Sequence, residues 1–445
     1  MASKQSFDEN GTRIPPPSID SAISVHSHED DESRNLKCPS GHEAAIAEEL
    51  AATERAETED TSMTSKIFIR ISLPSQLLEP VGNLEYWNFN DRPDYFACLA
   101  DPDDPLERML GVIRWWYSKD LKYVKGRLCK PYNSILGEQF YCHWDVSTPK
   151  FNVDGTIAKQ TWISENKGVN EDALGKSIRV TCLNEQISHH PPVSAFFYNC
   201  EEKGVEARGI DHITVRFTGT SVKVGPGDEN KGIYITLRSR DNEEYLLTHP
   251  WASVNGWLKA NLYLTMSEHC VITCPKTGLK AILEYKDEKW LSKPRFVIEG
   301  KIFSYDSASD EITKLKYVPQ DKLRATVDGS WRGQVKATRV DTKKECVLMD
   351  MNIIECIPKV VAPLEELGEF ESRKIWYSVT SAIQAKDFSR ATKAKIAIEE
   401  QQRQRSAERK AKGEEFEPVY FKVPVQEGKP ELKPAGVEKV KGRAQ

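Results

Sequence analysis

The densest chemistry in this 445-residue chain is the run Glu185-Gln186-Ile187-Ser188-His189-His190-Pro191-Pro192. Adjacent side chains on a strand face opposite sides of a sheet, so two imidazoles can meet one ligand only at a bend. Pro191 and Pro192 supply it, because neither donates to a ladder and each fixes φ. Three readings are open. A catalytic metal would need a third and a fourth ligand, and no HxxxH spacing accompanies the pair. Two surface histidines need no function at all. An anion site fits better: an imidazole beside a phosphate becomes a charge-assisted donor, and its pKa rises toward the charged form.

Lys395, Glu399 and Arg403 form a second group. Positions i, i+4 and i+8 of a helix drift by about 40° per step, so the three share one face. Alone, such a face reads as a solvated ladder of ion pairs. A third group is Lys130-Pro131-Tyr132-Asn133, running on to Leu136-Gly137-Glu138 as a loop that enters a strand. The chain has no G-x-S-x-G elbow, no glycine-rich phosphate loop ending in Lys-Ser/Thr and no C-x5-R loop. No catalytic residue, metal ligand or cofactor site is therefore assigned. Basic and aromatic residues are nowhere interleaved in the manner of a nucleic-acid surface, so no nucleic acid is expected as a partner.

These residues must be carried by elements that the pattern outlines. Ile67, Ile69, Ile71 and Leu73 alternate at strand period until Leu73-Pro74 ends the run, and Leu77-Leu78-Glu79-Pro80 follows. The segment 66–95 is either the first strand of the core or a flap. Leu106, Met109, Leu110, Ile113, Trp116 and Tyr117 recur at helical spacing, with Asp103 or Asp104 as N-cap. From about 137 to 355 short alternating strands take over, among them Ile178–Cys182 and Ile233–Leu237. Turn clusters such as Gly225-Pro226-Gly227-Asp228 and Asn255-Gly256 separate them. Many strands without interleaved helices predict a large antiparallel sheet, closed as a barrel or folded as a sandwich. Beyond about 363 the pattern is helical again, over 370–382 and 388–412.

Residues 1–65 differ from the rest, with 14 acidic against 5 basic side chains and almost no aromatics. They hold about −9 of a net charge of −5, which leaves the body near +4. Such a segment buries too little surface to offset its ordering entropy and reads as a disordered leader. No window approaches 18 apolar residues, which excludes a membrane-spanning helix, and the N-terminus lacks an apolar signal-peptide core. The ten cysteines contain no CxxC pair and read as thiols of a reducing cytosol.

Taken together, these segments resemble the oxysterol-binding protein-related (ORP/Osh) family of lipid transfer proteins, in a short form without a PH domain. Glu185 to Pro192 resembles the family's EQ-V-SHHPP signature, with Ile187 in place of Val. Lys130 to Glu138 resembles KP-x-NP-x-LGE, with Ser134 in place of Pro. Leu73-Pro74 through Leu84-Glu85 resembles the lid motif, and Glu371-Ser372-Arg373 with the Lys395/Glu399/Arg403 helix resembles the C-terminal region. The match runs in order over about 66–425.

The resemblance implies a β-rich α+β fold: a large, nearly complete antiparallel barrel around an apolar lipid tunnel, with an N-terminal lid and a helical C-terminal subdomain. Expected boundaries are a leader at 1–65, a lid at 66–95, a helical segment at 96–136, the barrel at 137–355, a helical region at 356–425 and a tail at 426–445. It also implies phosphatidylinositol 4-phosphate as one ligand, its head group held by Lys130, Asn133, His189, His190, Lys395, Glu399 and Arg403. A sterol or phosphatidylserine would be the second ligand, exchanged between membranes, with a lipid sensor or scaffold as the alternative role. Leu73, Pro74, Leu77 and Leu78 would close the mouth. Transient contact with a membrane surface and a cytoplasmic, peripheral location, including endoplasmic reticulum contact sites, complete the expectation.

Overall fold

In the computed structural model the described residues are 78–125, 130–158, 177–217, 221–255, 263–286 and 295–441. The expected leader lies outside them, as do Leu73, Pro74 and Leu77 of the lid motif.

The chain enters through a short strand β1 (Leu78–Gly82), which pairs in parallel with β2 (Lys130–Tyr132). Between them lie four helices, α1 (Asn83–Tyr86), α2 (Pro93–Ala97), α3 (Pro105–Ser118) and α4 (Leu121–Lys125). Helix α3 starts where the sequence indicated: Asp104 accepts from the Leu106 amide at 2.9 Å and Pro105 occupies the first turn. Its Trp115, Trp116 and Tyr117 are fully buried, so the helix is hydrophobic almost all round and serves as a core element. Part of the expected lid is therefore core: Leu84 and Glu85 of α1 and Tyr95 of α2 are buried.

A 14-stranded antiparallel sheet follows, opening with β3 (Gln139–Val146), β4 (Ile178–His189), β5 (Pro192–Cys200) and β6 (Val205–Phe217) and ending at Glu345–Asp350. The fold class expected from the sequence is thus borne out. The first and last strands do not pair with each other among the described residues. The chain beyond the last strand lies along the β3 edge instead: His143 and Val360 exchange backbone hydrogen bonds of 3.0 and 2.8 Å, and the Gln139 amide donates to Phe370 O at 2.8 Å. An exposed edge is thereby covered.

Strand alternation divides the buried side chains between two faces. Phe140, Cys142 and Trp144 of β3, Val180 and Cys182 of β4, and Phe196 and Tyr198 of β5 join the inner cluster with α2 and α3. Leu183, Val193, Ala195, Phe197 and Ile210 face outward and still exclude water, because the C-terminal chain covers them with Phe421 and Val440. Residues 426–441 are accordingly no tail. Their helix, Pro434–Lys441, packs on β4 and β5, and the Val440 carbonyl accepts from Thr181 Oγ at 2.7 Å. An apolar outer face over three strands demands a cover, and this segment provides it. Phe421→Ala should lower stability by about 3–5 kcal/mol in urea unfolding, as for other fully buried aromatics; a change below about 1 kcal/mol would contradict a structural role for this strap.

Candidate functional site

The histidine pair sits where β4 turns into β5. The pairing slips by one residue between Gln186 and Ser188, and a bulge of this kind re-aims the side chains that follow. The His189 and His190 rings then stand edge to face, with centroids 4.6 Å apart at 62°. His190 is exposed and His189 half-buried.

Two further segments meet His189. The loop that leads into β3 places Ser134 in a backbone hydrogen bond with it. Ser134 is 4% exposed, and both its Oγ and His189 Nδ1 are buried without a hydrogen-bond partner among the described residues. From the other side comes α7 (Phe388–Lys412), which forms a hairpin with α6 (Tyr377–Gln384) after the short α5 (Ser372–Ile375). Lys395 of α7 is buried, with Nζ 3.4 Å from Glu399 Oε1, and the Glu399 charge acts on His189. Burial pushes the His189 pKa below its ordinary value and the neighbouring His190 adds to this; the Ser134 bond and Glu399 oppose them only in part. The rise expected beside a phosphate is therefore not built in by the protein's own groups.

Packing explains why α7 reaches the histidines. Tyr132, Ile135, Trp376, Val379, Ala382 and Ala391 form one small core, with Tyr132 stacked on Trp376 at 4.8 Å and 28°. Glu138 lies at its edge, accepting from the Ile135 amide at 3.0 Å, Ser372 Oγ at 2.7 Å and Trp376 Nε1 at 3.1 Å. Burial pushes its carboxyl up to about 7 despite these donors. Two other motif glutamates act alike. Glu85 binds Arg373 through two bonds of 2.9 and 2.7 Å; burial alone would raise it, but Arg373 and Lys359 outweigh that and hold it low. Glu185 accepts from the Val419 and Tyr420 amides at 2.6 and 2.8 Å, tying down the C-terminal strap. Sequence reading quoted all three as motif letters; nothing local marks a glutamate as buried.

The remaining expected residues fall as follows. Lys130 lies in β2, paired with Leu78, the first residue of β1. Asn133 is exposed beside Ser134. Arg403 is exposed and has no hydrogen-bond or ion-pair partner among the described residues, so the single face expected for Lys395, Glu399 and Arg403 is not drawn together as a unit. Two i+4 steps accumulate about 80° of rotation, enough to turn Arg403 away while Lys395 points inward. Among the described residues no three His, Cys, Asp or Glu side chains gather as a metal site, and no helix is long and apolar enough to cross a membrane.

The described residues thus combine a fourteen-stranded antiparallel sheet, a histidine pair at a strand end and a helical hairpin. Residues 61–381 match the oxysterol-binding protein family, and the chain belongs to that family. It is 41% identical over 442 residues to oxysterol-binding protein-like protein 1 of Schizosaccharomyces pombe, covering 83% of this chain and 86% of that one. It is 31% identical over 360 residues to human oxysterol-binding protein-related protein 9, covering 79% of this chain but only 44% of the human one. Among solved structures it is similar to the Osh1 ORD domain in complex with ergosterol, with a TM-score of 0.62 and 19% identity over 84% of each chain. It is also similar to the Osh3 ORD of Saccharomyces cerevisiae in complex with PI(4)P, with a TM-score of 0.58 and 17% identity over 88% of this chain and 91% of that one.

Because His189 is held toward its neutral form, a phosphate dianion should draw a proton onto it. Calorimetry with a water-soluble inositol phosphate in buffers of different ionisation enthalpy should report proton uptake, and affinity should rise as pH falls toward the depressed pKa of His189. Binding without proton exchange would place the anion elsewhere.

Proposed function

We propose that this chain binds phosphatidylinositol 4-phosphate, with its monoester phosphate at His189, His190 and Lys395, and exchanges it for a second lipid between membranes. One observation carries the reading: His189 Nδ1 and Ser134 Oγ are buried without partners among the described residues, and His189 feels both the Ser134 backbone and Glu399, the ion-pair partner of the buried Lys395. Buried polar atoms are nearly always bonded, so atoms left open there mark where an anionic ligand completes the set. A phosphate monoester carries close to two negative charges and several acceptor oxygens, and it suits these converging groups. Lys130 of β2 and Asn133 of the following loop are further proposed contacts, and Glu399 keeps Lys395 oriented. Arg403 joins only if the ligand draws it in. Leu73, Pro74, Leu77 and Leu78 are the proposed closure of the mouth.

The bound phosphatidylinositol 4-phosphate of the Osh3 domain and the ergosterol of the Osh1 domain support two lipid classes for one fold. The work of the protein is then binding and release, with no bond made or broken. It acts as a cytoplasmic, peripheral protein in transient contact with membrane surfaces.

His189→Ala with His190→Ala should abolish extraction of phosphatidylinositol 4-phosphate from liposomes; undiminished transfer would refute the site. Ser134→Ala should weaken the same binding about fivefold, corresponding to one hydrogen bond of about 1 kcal/mol. Binding without transfer would favour a lipid sensor.

A further inference from the structure

The strap that seals the outer face of the sheet leaves a gap. Between β5, β6 and the C-terminal helix Pro434–Lys441 lies a cavity of about 260 Å³. Its apolar lining is Phe197 of β5 with Leu432, Val437 and Val440 of the strap. Strand register sets the polar part. Arg208 of β6 stands opposite Phe197 on one side and Tyr234 of the strand Ile233–Leu237 on the other, while Glu206 stands opposite Asn199. Both share the parity of Ile210, which belongs to the outer cluster, so both side chains rise into the gap and away from the inner wall.

Three acids and three bases line the cavity, and they are unevenly paired. Arg238 takes two of the acids, Glu201 at 2.7 Å and Glu206 at 3.3 Å. The third, Glu431, is bound by Lys422 at 2.9 Å and feels Arg208 only through space. Arg208 and Lys441 have neither a hydrogen bond nor an ion pair among the described residues. The Nε of Arg208 is also buried, so bulk water does not satisfy it. A permanently charged guanidinium with a buried open donor is costly to leave unmatched, and the acids around it are already engaged.

We infer that this gap is a binding site separate from the histidines and from the inner face of the sheet, and that it takes a small monocarboxylate with a short apolar body. The carboxylate sits on the planar fork of Arg208, which it matches with two parallel bonds, and Lys441 adds charge at the rim. The apolar body lies on Phe197, Leu432 and Val440. A phosphate dianion suits the site less, because a single guanidinium meets it among three carboxylates. Size separates it from the lipid cargo: the cavity has the room of roughly nine waters at about 30 Å³ each, far short of two acyl chains. An occupant touches the sheet on one side and the strap on the other, so binding holds the strap in place.

The test is titration calorimetry of the full chain with sodium hexanoate, with hexanol, hexylamine and inorganic phosphate as separate arms. Hexanoate should bind in the millimolar range or more tightly and raise the thermal unfolding midpoint, and the other three should do neither. Arg208→Gln should weaken hexanoate about tenfold, the loss of a charge-assisted pair, and Arg208→Lys, which keeps the charge without the fork, should weaken it less. Val437 is exposed on the strap side, so Val437→Trp should fill the gap and block hexanoate without lowering the unfolding midpoint of the free protein. Hexanoate binding that survives both Arg208→Gln and Val437→Trp would overturn the inference, since the acid would then lie elsewhere. Equal binding of hexanol, or tighter binding of inorganic phosphate, would overturn it too. A short peptide ending in a free leucine carboxylate that outcompetes hexanoate would assign the gap to a partner's chain terminus and overturn the small-acid reading.

Discussion

A single buried carboxyl, Glu138, joins the parts that make the binding site. Its three donors come from the loop before β3, from α5 and from the residue that opens α6. Without it, the loop that carries Ser134 and the hairpin that carries Lys395 would keep apolar packing and the Tyr132–Thr380 hydroxyl contact to set their spacing. Apolar packing fixes distance well but direction poorly, whereas three hydrogen bonds to one carboxyl fix both. The cost is a desolvated acid, visible in its raised pKa. Glu85 and Glu185 repeat the device at other junctions, linking α1 to α5 and β4 to the C-terminal strap.

Under the proposed lipid exchange these clamps matter because the task is demanding. Carrying an acyl chain of about 18 carbons through water costs roughly 14 kcal/mol at about 0.8 kcal/mol per methylene. A protein that takes over from the bilayer must offer a large enclosed apolar surface while keeping one end wet and charged. The sheet alternates, with aromatic and aliphatic residues inward and a second apolar face sealed by residues 419–440. The polar end is assembled at the edge where β4 stops, from pieces far apart in sequence.

Much of this was legible before folding. Strand alternation, turn residues and the Asp104-Pro105 start of α3 follow from local rules, and the structure repeats them nearly residue for residue. The histidine pair announced itself, since two imidazoles followed by two prolines have few structural uses. Other features were invisible. The region after 425 is short and polar enough to pass for a tail, and only the uncovered outer face of β4 to β6 explains why it folds back. The first elements after residue 78 passed for a flap, because burial of Leu84 depends on strands a hundred residues away.

The sequence by itself determined the elements, the family and the residue types that could bind a phosphate, because those depend on local backbone preference and on motif chemistry. Tertiary structure alone decided which of those residues meet. Lys395 turns inward and Arg403 outward although both lie on one helix, because helical drift and the small core under α7 set the angle. It also decided which carboxyls become clamps, as Glu138, Glu85 and Glu185 do. Desolvation and hydrogen-bond supply depend on surroundings from several strands, and no window of sequence contains them.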